Sequence, residues 1–213
     1  MASLEKLTET EKELQGLIEQ KDDDYYLYYL LGWTQYNKML FHQNEDRQKS
    51  IEYLDEAIKN CEKSISLKDD YSNAHALLGQ LFGMKINFSD SPFAGMQYGS
   101  KAQMELDKAL RIDKKNPMAL TFLGLSKMYT PEIYGGSIET AISLFQQAIE
   151  SDPKYYDAYV FLAQLLREKR NNYEAARQYL LKAIAIDPQR KWAKDELKKI
   201  DDSLKKNSSY KSN

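Results

Sequence analysis

The chain is poor in the residues that carry most enzyme chemistry and most covalent bracing. It has a single cysteine in 213 residues, Cys61, so no internal disulfide can form. That usage fits a reducing compartment, although many periplasmic proteins also lack disulfides. Charge is nearly balanced, with 30 basic against 32 acidic residues and a net charge of −2. This argues against a binder of duplex nucleic acid, a class that shows a strong basic excess. No apolar run approaches the ~20 residues needed to cross a bilayer, so no membrane span is expected. The opening stretch "MASLEKLTETEKEL" is charged and has no signal-peptide core. A cytoplasmic location is therefore expected, with a periplasmic one open if a signal peptide has been removed.

Motifs of catalysis are missing as well. HExxH, CxxC, Walker A and GxSxG do not occur. There are two histidines. His75 reads as a packed core side chain and His42 as a solvated one near a helix tip. Asp22-Asp23-Asp24 could suggest calcium, but no Gly or distal Glu follows at loop spacing. An acidic first turn favoured by the helix dipole is the better reading. We expect no enzyme, no metal and no cofactor.

Proline is scarce at five, while tyrosine reaches sixteen. Few breakers, high charge and abundant Leu, Ala, Ile and Lys point to an all-α protein. The helices repeat. The segments "YYLYYLLGWTQY" (25–36), "SNAHALLGQLFG" (72–83), "PMALTFLGLSKM" (117–128) and "YDAYVFLAQLLR" (156–167) align, each with a small residue after a Leu: Gly32, Gly79, Gly124 and Ala163. A second apolar segment follows each, marked by Ala57/Cys61/Ser64, Ala102/Leu106/Ala109, Ala141/Phe145/Ala148 and Ala176/Leu180/Ala183. Turns such as "IDKKNP" and "SDPKY" close the units.

This pattern resembles the tetratricopeptide repeat, a helix–turn–helix unit of 34 residues. Ala141-x3-Phe145-x2-Ala148-x4-Pro153 fits its second half fully. The resemblance covers residues 24–200 and implies a right-handed α-solenoid of four helix pairs with capping helices. The divisions are 1–22 as N-terminal capping helix, repeats at 25–71, 72–116, 117–155 and 156–190 within 23–190, a polar capping helix at 191–206 and a disordered tail at 207–213. Repeat starts at 25, 72, 117, 156 and 191 give steps of 47, 45, 39 and 35. The excess over 34 falls between the two helices of each pair. Asp46 is expected as the N-cap of the helix over 46–67. Ser91-Pro92 reads as N-cap and first helical position of the helix over 92–112. Ser137 is the expected cap of a helix from Ile138, which leaves Gly135-Gly136 in a turn rather than a phosphate loop. No strand precedes it, and the P-loop Lys is missing.

In such arrays the first helices line a groove that holds a partner. That resemblance implies a partner-binding groove of Tyr26, Tyr29, Trp33, Tyr36 and Asn37, then Asn73, Gln80 and Met84, then Met118, Leu125, Met128 and Tyr129, then Gln164 and Arg167. A chaperone-tail clamp of Lys, Asn and Arg is not expected, because Tyr29 and Trp33 occupy its places. A second candidate surface is the insertion edge, with Phe41, Phe88, Phe93, Tyr98, Ile133 and Tyr134. The expected function is a non-enzymatic scaffold or adaptor binding a protein, peptide or partner helix. The alternative is a small-ligand-binding repeat protein of a bacterial transport or envelope system. The chain is expected as a monomer or homodimer.

Overall fold

Each repeat marker is small because a second helix crosses there. At Gly32 a Cβ would lie 3.0 Å from Cys61 Sγ and 3.2 Å from the Ala57 carbonyl. At Gly79 it would lie 2.7 Å from the Leu106 side chain and 3.0 Å from the Ala102 carbonyl. At Gly124 it would lie 2.7 Å from the Phe145 ring. The marker on one helix thus meets the marker on the other: at Gly79 and Gly124 an added Cβ would force the facing side chain to shift, while repeat four packs the small Ala163 there. The two halves of the motif are one packing contact.

The computed structural model describes residues 3–211, and those residues are all-helical: α1 (Leu4–Gln20), α2 (Tyr25–His42), α3 (Arg47–Leu67), α4 (Ser72–Phe88), α5 (Ala94–Ile112), α6 (Pro117–Tyr129), α7 (Ile138–Ser151), α8 (Tyr156–Arg170), α9 (Tyr173–Ile186) and α10 (Lys191–Lys211), with a 3-10 turn at Glu132–Tyr134. Helix α10 continues to Lys211, past the limit expected at 206 and into the stretch expected as a disordered tail. Residues 1, 2, 212 and 213 lie outside the described residues. Two compact units divide between Phe122 and Leu123.

In the N-terminal unit α2 packs on α3, α4 on α5, α1 on α2 and α3 on α4. Leu54, Ala57, Cys61, Leu77, Leu81, Leu106 and Ala109 are buried there. The extra residues of repeats one and two are helical: α2 and α3 have 18 and 21 residues, α4 and α5 have 17 and 19. In the C-terminal unit α8 and α9 have 15 and 14 residues, near the standard repeat. There α7, α9 and α10 pack on α8, and α10 packs on α9 as well. These helices close over Tyr156, Val160, Ala163, Ala176, Leu180 and Ile200.

Caps fix most helix starts. Asp24, Asp46, Ser137 and Asn172 each accept a backbone N–H of the first turn, from Tyr26, Lys49, Thr140 and Ala175. The exit turns reuse one device: Asp113, Asp152 and Asp187 accept from the N–H two residues on, at 2.9, 2.8 and 3.0 Å. Helix α5 departs from expectation. It begins at Ala94, because Ser91 Oγ accepts from Phe93 N–H and the Ser91 carbonyl accepts from Ala94 N–H. Ser91-Pro92 is thereby a turn that precedes the helix.

The Gly-Gly turn is tightly built. Gly135 has φ of 88°, and a Cβ on Gly136 would run into the Thr130 carbonyl. Gly136 N–H donates to the Pro131 carbonyl at 3.1 Å, and Lys127 Nζ donates to the Gly135 carbonyl at 3.1 Å. The insertion of repeat three is a fixed loop, not a helical extension.

His75 is buried, with Nδ1 at 2.6 Å from Glu105 Oε2 and Nε2 at 2.9 Å from the Asp69 carbonyl. It ties the α3–α4 turn to α5, as a core residue would. His42 stacks on Tyr53 instead of standing free in solvent. On α1, Leu7, Glu11 and Leu14 form the contact face, and Leu17 is exposed.

Candidate functional site

Helix geometry sorts the expected groove residues into those that face out and those consumed by packing. In the N-terminal unit α2 and α4 contact one another. Tyr29 and Tyr36 are buried, as is Met118. Trp33, Asn37, Asn73, Gln80 and Met84 are half-buried, and Tyr26 is exposed. In the C-terminal unit Leu125 and Met128 are buried, Gln164 and Arg167 half-buried, and Tyr129 exposed.

The N-terminal set is organised around a residue that the sequence did not single out. Tyr71, just before α4, lies edge-on to Tyr25 and Tyr29, each at 5.1 Å between ring centroids. Tyr26 stacks on Tyr29 at 5.9 Å and completes a four-ring cluster. Aromatic pairs at these separations contribute about 0.5–1.5 kcal/mol beyond area burial. Burial holds the Tyr29 and Tyr71 hydroxyls above the usual phenol range. Lys68 Nζ lies 4.6 Å over the Tyr25 ring. Beside the cluster, Asn116 Nδ2 donates to Ser72 Oγ at 2.8 Å and to Asn73 Oδ1 at 2.6 Å. The amide of Asn73 is thereby held in one orientation. On α2, Trp33 lies 5.5 Å from Tyr36, with Asn37 donating back to the Trp33 carbonyl.

The C-terminal set is polar. Gln164 Nε2 donates to Tyr129 Oη at 2.9 Å and to Glu168 at 3.1 Å. Arg167 bridges Glu168 at 2.8 Å and Glu196 at 3.1 Å, and Lys199 donates to Glu196 at 2.6 Å. Burial, then the nearby Glu168 charge, pushes the Tyr129 hydroxyl up. Glu196 was invisible in the repeat register because it comes from the capping helix α10. Arg190 of the turn before it reaches Asp157 at 2.8 Å and covers the Tyr156 ring at 4.4 Å. Burial outweighs that cation and leaves the Asp157 carboxyl above the usual range.

On the insertion edge Phe88 and Tyr98 are half-buried, Tyr98 stacking on Phe82 and Phe88 lying under Arg47. Phe41, Phe93, Ile133 and Tyr134 are exposed. Among the described residues no group of three His, Cys, Asp or Glu side chains is placed to hold a metal. No described helix is long and apolar enough to cross a membrane.

A sequence profile described as Regulator of microtubule dynamics protein 1-3 matches residues 2–209. The curated Tetratricopeptide repeat protein 14 of Mus musculus is 34% identical over 111 residues. That match takes in 49% of this chain, which spans only 14% of the relative's length. The crystal structure of TTC0263, a thermophilic tetratricopeptide protein of Thermus thermophilus, superposes with a TM-score of 0.71 at 15% identity, covering 89% of this chain and 88% of that one. The structure of Pseudomonas aeruginosa pilF gives a TM-score of 0.57 at 18% identity over 89% of this chain and 71% of that one. The fold is therefore the all-α tetratricopeptide type.

Proposed function

The chain belongs to the family described as Regulator of microtubule dynamics protein 1-3, and from that premise we propose that it is a non-enzymatic adaptor that holds a peptide or helix of a partner protein on its first-helix surface. The family description supports a partner that acts on microtubules.

The observation that carries the reading is the outward row of the N-terminal unit. Tyr26, Trp33, Asn73, Gln80 and Met84 keep accessible area on two adjacent helices whose inward residues are fully used in packing. Aromatic and Met side chains are enriched where proteins meet, and amides set orientation. The tyrosine cluster holds its outermost ring in place, so little ordering entropy is lost on binding.

The test uses the intact chain as bait against a microtubule-protein fraction. A discrete partner is expected with the wild type. Tyr26→Ala combined with Trp33→Ala is expected to weaken its retention at least tenfold, each truncation removing about 1–2 kcal/mol. The melting temperature serves as the control for folding. Unchanged retention with an unchanged melting temperature overturns the assignment of this surface.

A further inference from the structure

His75 is 2% exposed, and both of its ring nitrogens face oxygen acceptors. Nε2 lies 2.9 Å from the Asp69 carbonyl, which can only accept, so Nε2 carries a hydrogen. Nδ1 lies 2.6 Å from Glu105 Oε2. A neutral imidazole has one N–H, here spent on Asp69, so its Nδ1 lone pair would meet a carboxylate lone pair across that distance. The contact therefore needs a second proton, carried by the ring as imidazolium or by Glu105 as the acid. Either way, the folded pair holds one proton more than a neutral histidine and an ionised glutamate do. Those are the forms that prevail in an unfolded chain at neutral pH.

Charges around the pair come from three elements. The α3–α4 turn brings the Asp69 carboxylate to 3.8 Å from Nε2, and Lys108 of α5 binds that carboxylate at 2.5 Å. Glu62 of α3 and Lys101 of α5 line a cleft with Glu105. What the pair grips is the turn itself. The Asp69 carbonyl stands two residues before Tyr71, the ring around which Tyr25, Tyr26 and Tyr29 pack. We propose that His75 and Glu105 form a proton-operated latch on the α3–α4 turn. With the proton in place the turn is closed and Tyr71 is seated in the ring cluster. When the proton is lost, two acceptors at hydrogen-bond distance repel and part, and the turn loosens. On the adaptor reading the same proton tunes partner retention through Tyr26; that consequence rests on the reading, and the latch does not.

Glu105→Gln separates a latch from a plain core contact. Its amide keeps the shape of the acid and donates a permanent N–H to Nδ1 of a neutral ring. The folded wild type binds the extra proton and the unfolded chain does not, so stability is lost as pH rises. The folding equilibrium constant of the full chain, from chemical denaturation, is expected to fall by up to tenfold per unit between about pH 7 and about pH 8.5. In Glu105→Gln the fall is expected to be smaller by that one-proton share, since the remaining groups contribute alike to both proteins. The Tyr71 ring resonances, assigned by Tyr71→Phe, are expected to shift over the same interval in the wild type and to stay fixed in Glu105→Gln. Equal pH slopes in the two proteins overturn the proposal. So does a Tyr71 signal that ignores pH in the wild type, a measurement that needs no variant to report on the latch.

Discussion

At the scale of single residues, close approach explains the repeat better than composition does. The Leu-Gly marker and the later Ala-x3-large marker could be aligned in the sequence because each is half of one helix crossing. Glycine beneath Cys61, Leu106 and Phe145 is what that crossing demands. Cys61 illustrates the consequence. Its thiol is fully buried, and burial pushes it far above the usual thiol range. A thiol reagent is expected to label the native protein at a negligible rate and to label it stoichiometrically in denaturant. Fast native labelling would show that the α2–α3 crossing opens. Gly136 is a second such residue. Gly136→Ala must move either Thr130 or the loop, so a loss of several degrees in melting temperature is expected, consistent with a cost of more than ~1 kcal/mol. What the sequence could not supply at this scale are partners that arrive from afar. Tyr71 joins Tyr25, Asn116 joins Asn73 and Glu196 joins Arg167 only through tertiary packing.

At the scale of elements, helix limits followed from caps, and the exceptions have local causes. Asp46 and Ser137 cap where periodicity placed them. Ser91-Pro92 satisfies the same preference, yet its hydrogen bonds close a turn first and delay α5. Helix α1 shows how an element with little apolar surface can still dock. Between Leu7 and Leu14 it buries Glu11, which accepts from Lys38 Nζ at 2.5 Å and from Gln35 Nε2 at 3.2 Å. Lys38 also lies 4.4 Å over the Tyr53 ring. Removing one member leaves the other charge buried without its partner. Lys38→Met is therefore expected to cost about 3–5 kcal/mol, while Lys38→Met with Glu11→Leu recovers most of it. Chemical denaturation of the three proteins checks this, and equal losses in the single and double variants would contradict it. The pH dependence has a definite sign. Burial works against the Lys38 charge, but the hydrogen bonds to Glu11 and Tyr53 outweigh it and raise the ammonium above its usual 10.5. Its folded value exceeds its unfolded one. The pair's contribution is thus complete at neutral pH and is lost as pH rises beyond the ordinary lysine range. The wild type is expected to lose more stability there than the double variant.

At the scale of the whole molecule, the insertions that separate this chain from a plain array are spent in two ways. Repeats one and two convert them into longer helices, and repeat three folds its share into a fixed glycine turn. The lengthening was legible from the spacing of the markers; which side chains it would leave outside was not. Tyr29 and Tyr36 were expected at groove positions yet are buried, because the neighbouring rings and helices close on them. Tyr26 and Trp33 stay accessible on the same helix. We assign the partner to this residual row rather than to the insertion edge. The ratio of partner retained by the wild type to that retained by Tyr26→Ala with Trp33→Ala tests the assignment, with Ile133→Glu on the exposed insertion edge as a parallel variant. At least a tenfold drop is expected for the paired alanines, and full retention for Ile133→Glu. Full retention by the alanine pair, or loss confined to Ile133→Glu, would contradict the assignment.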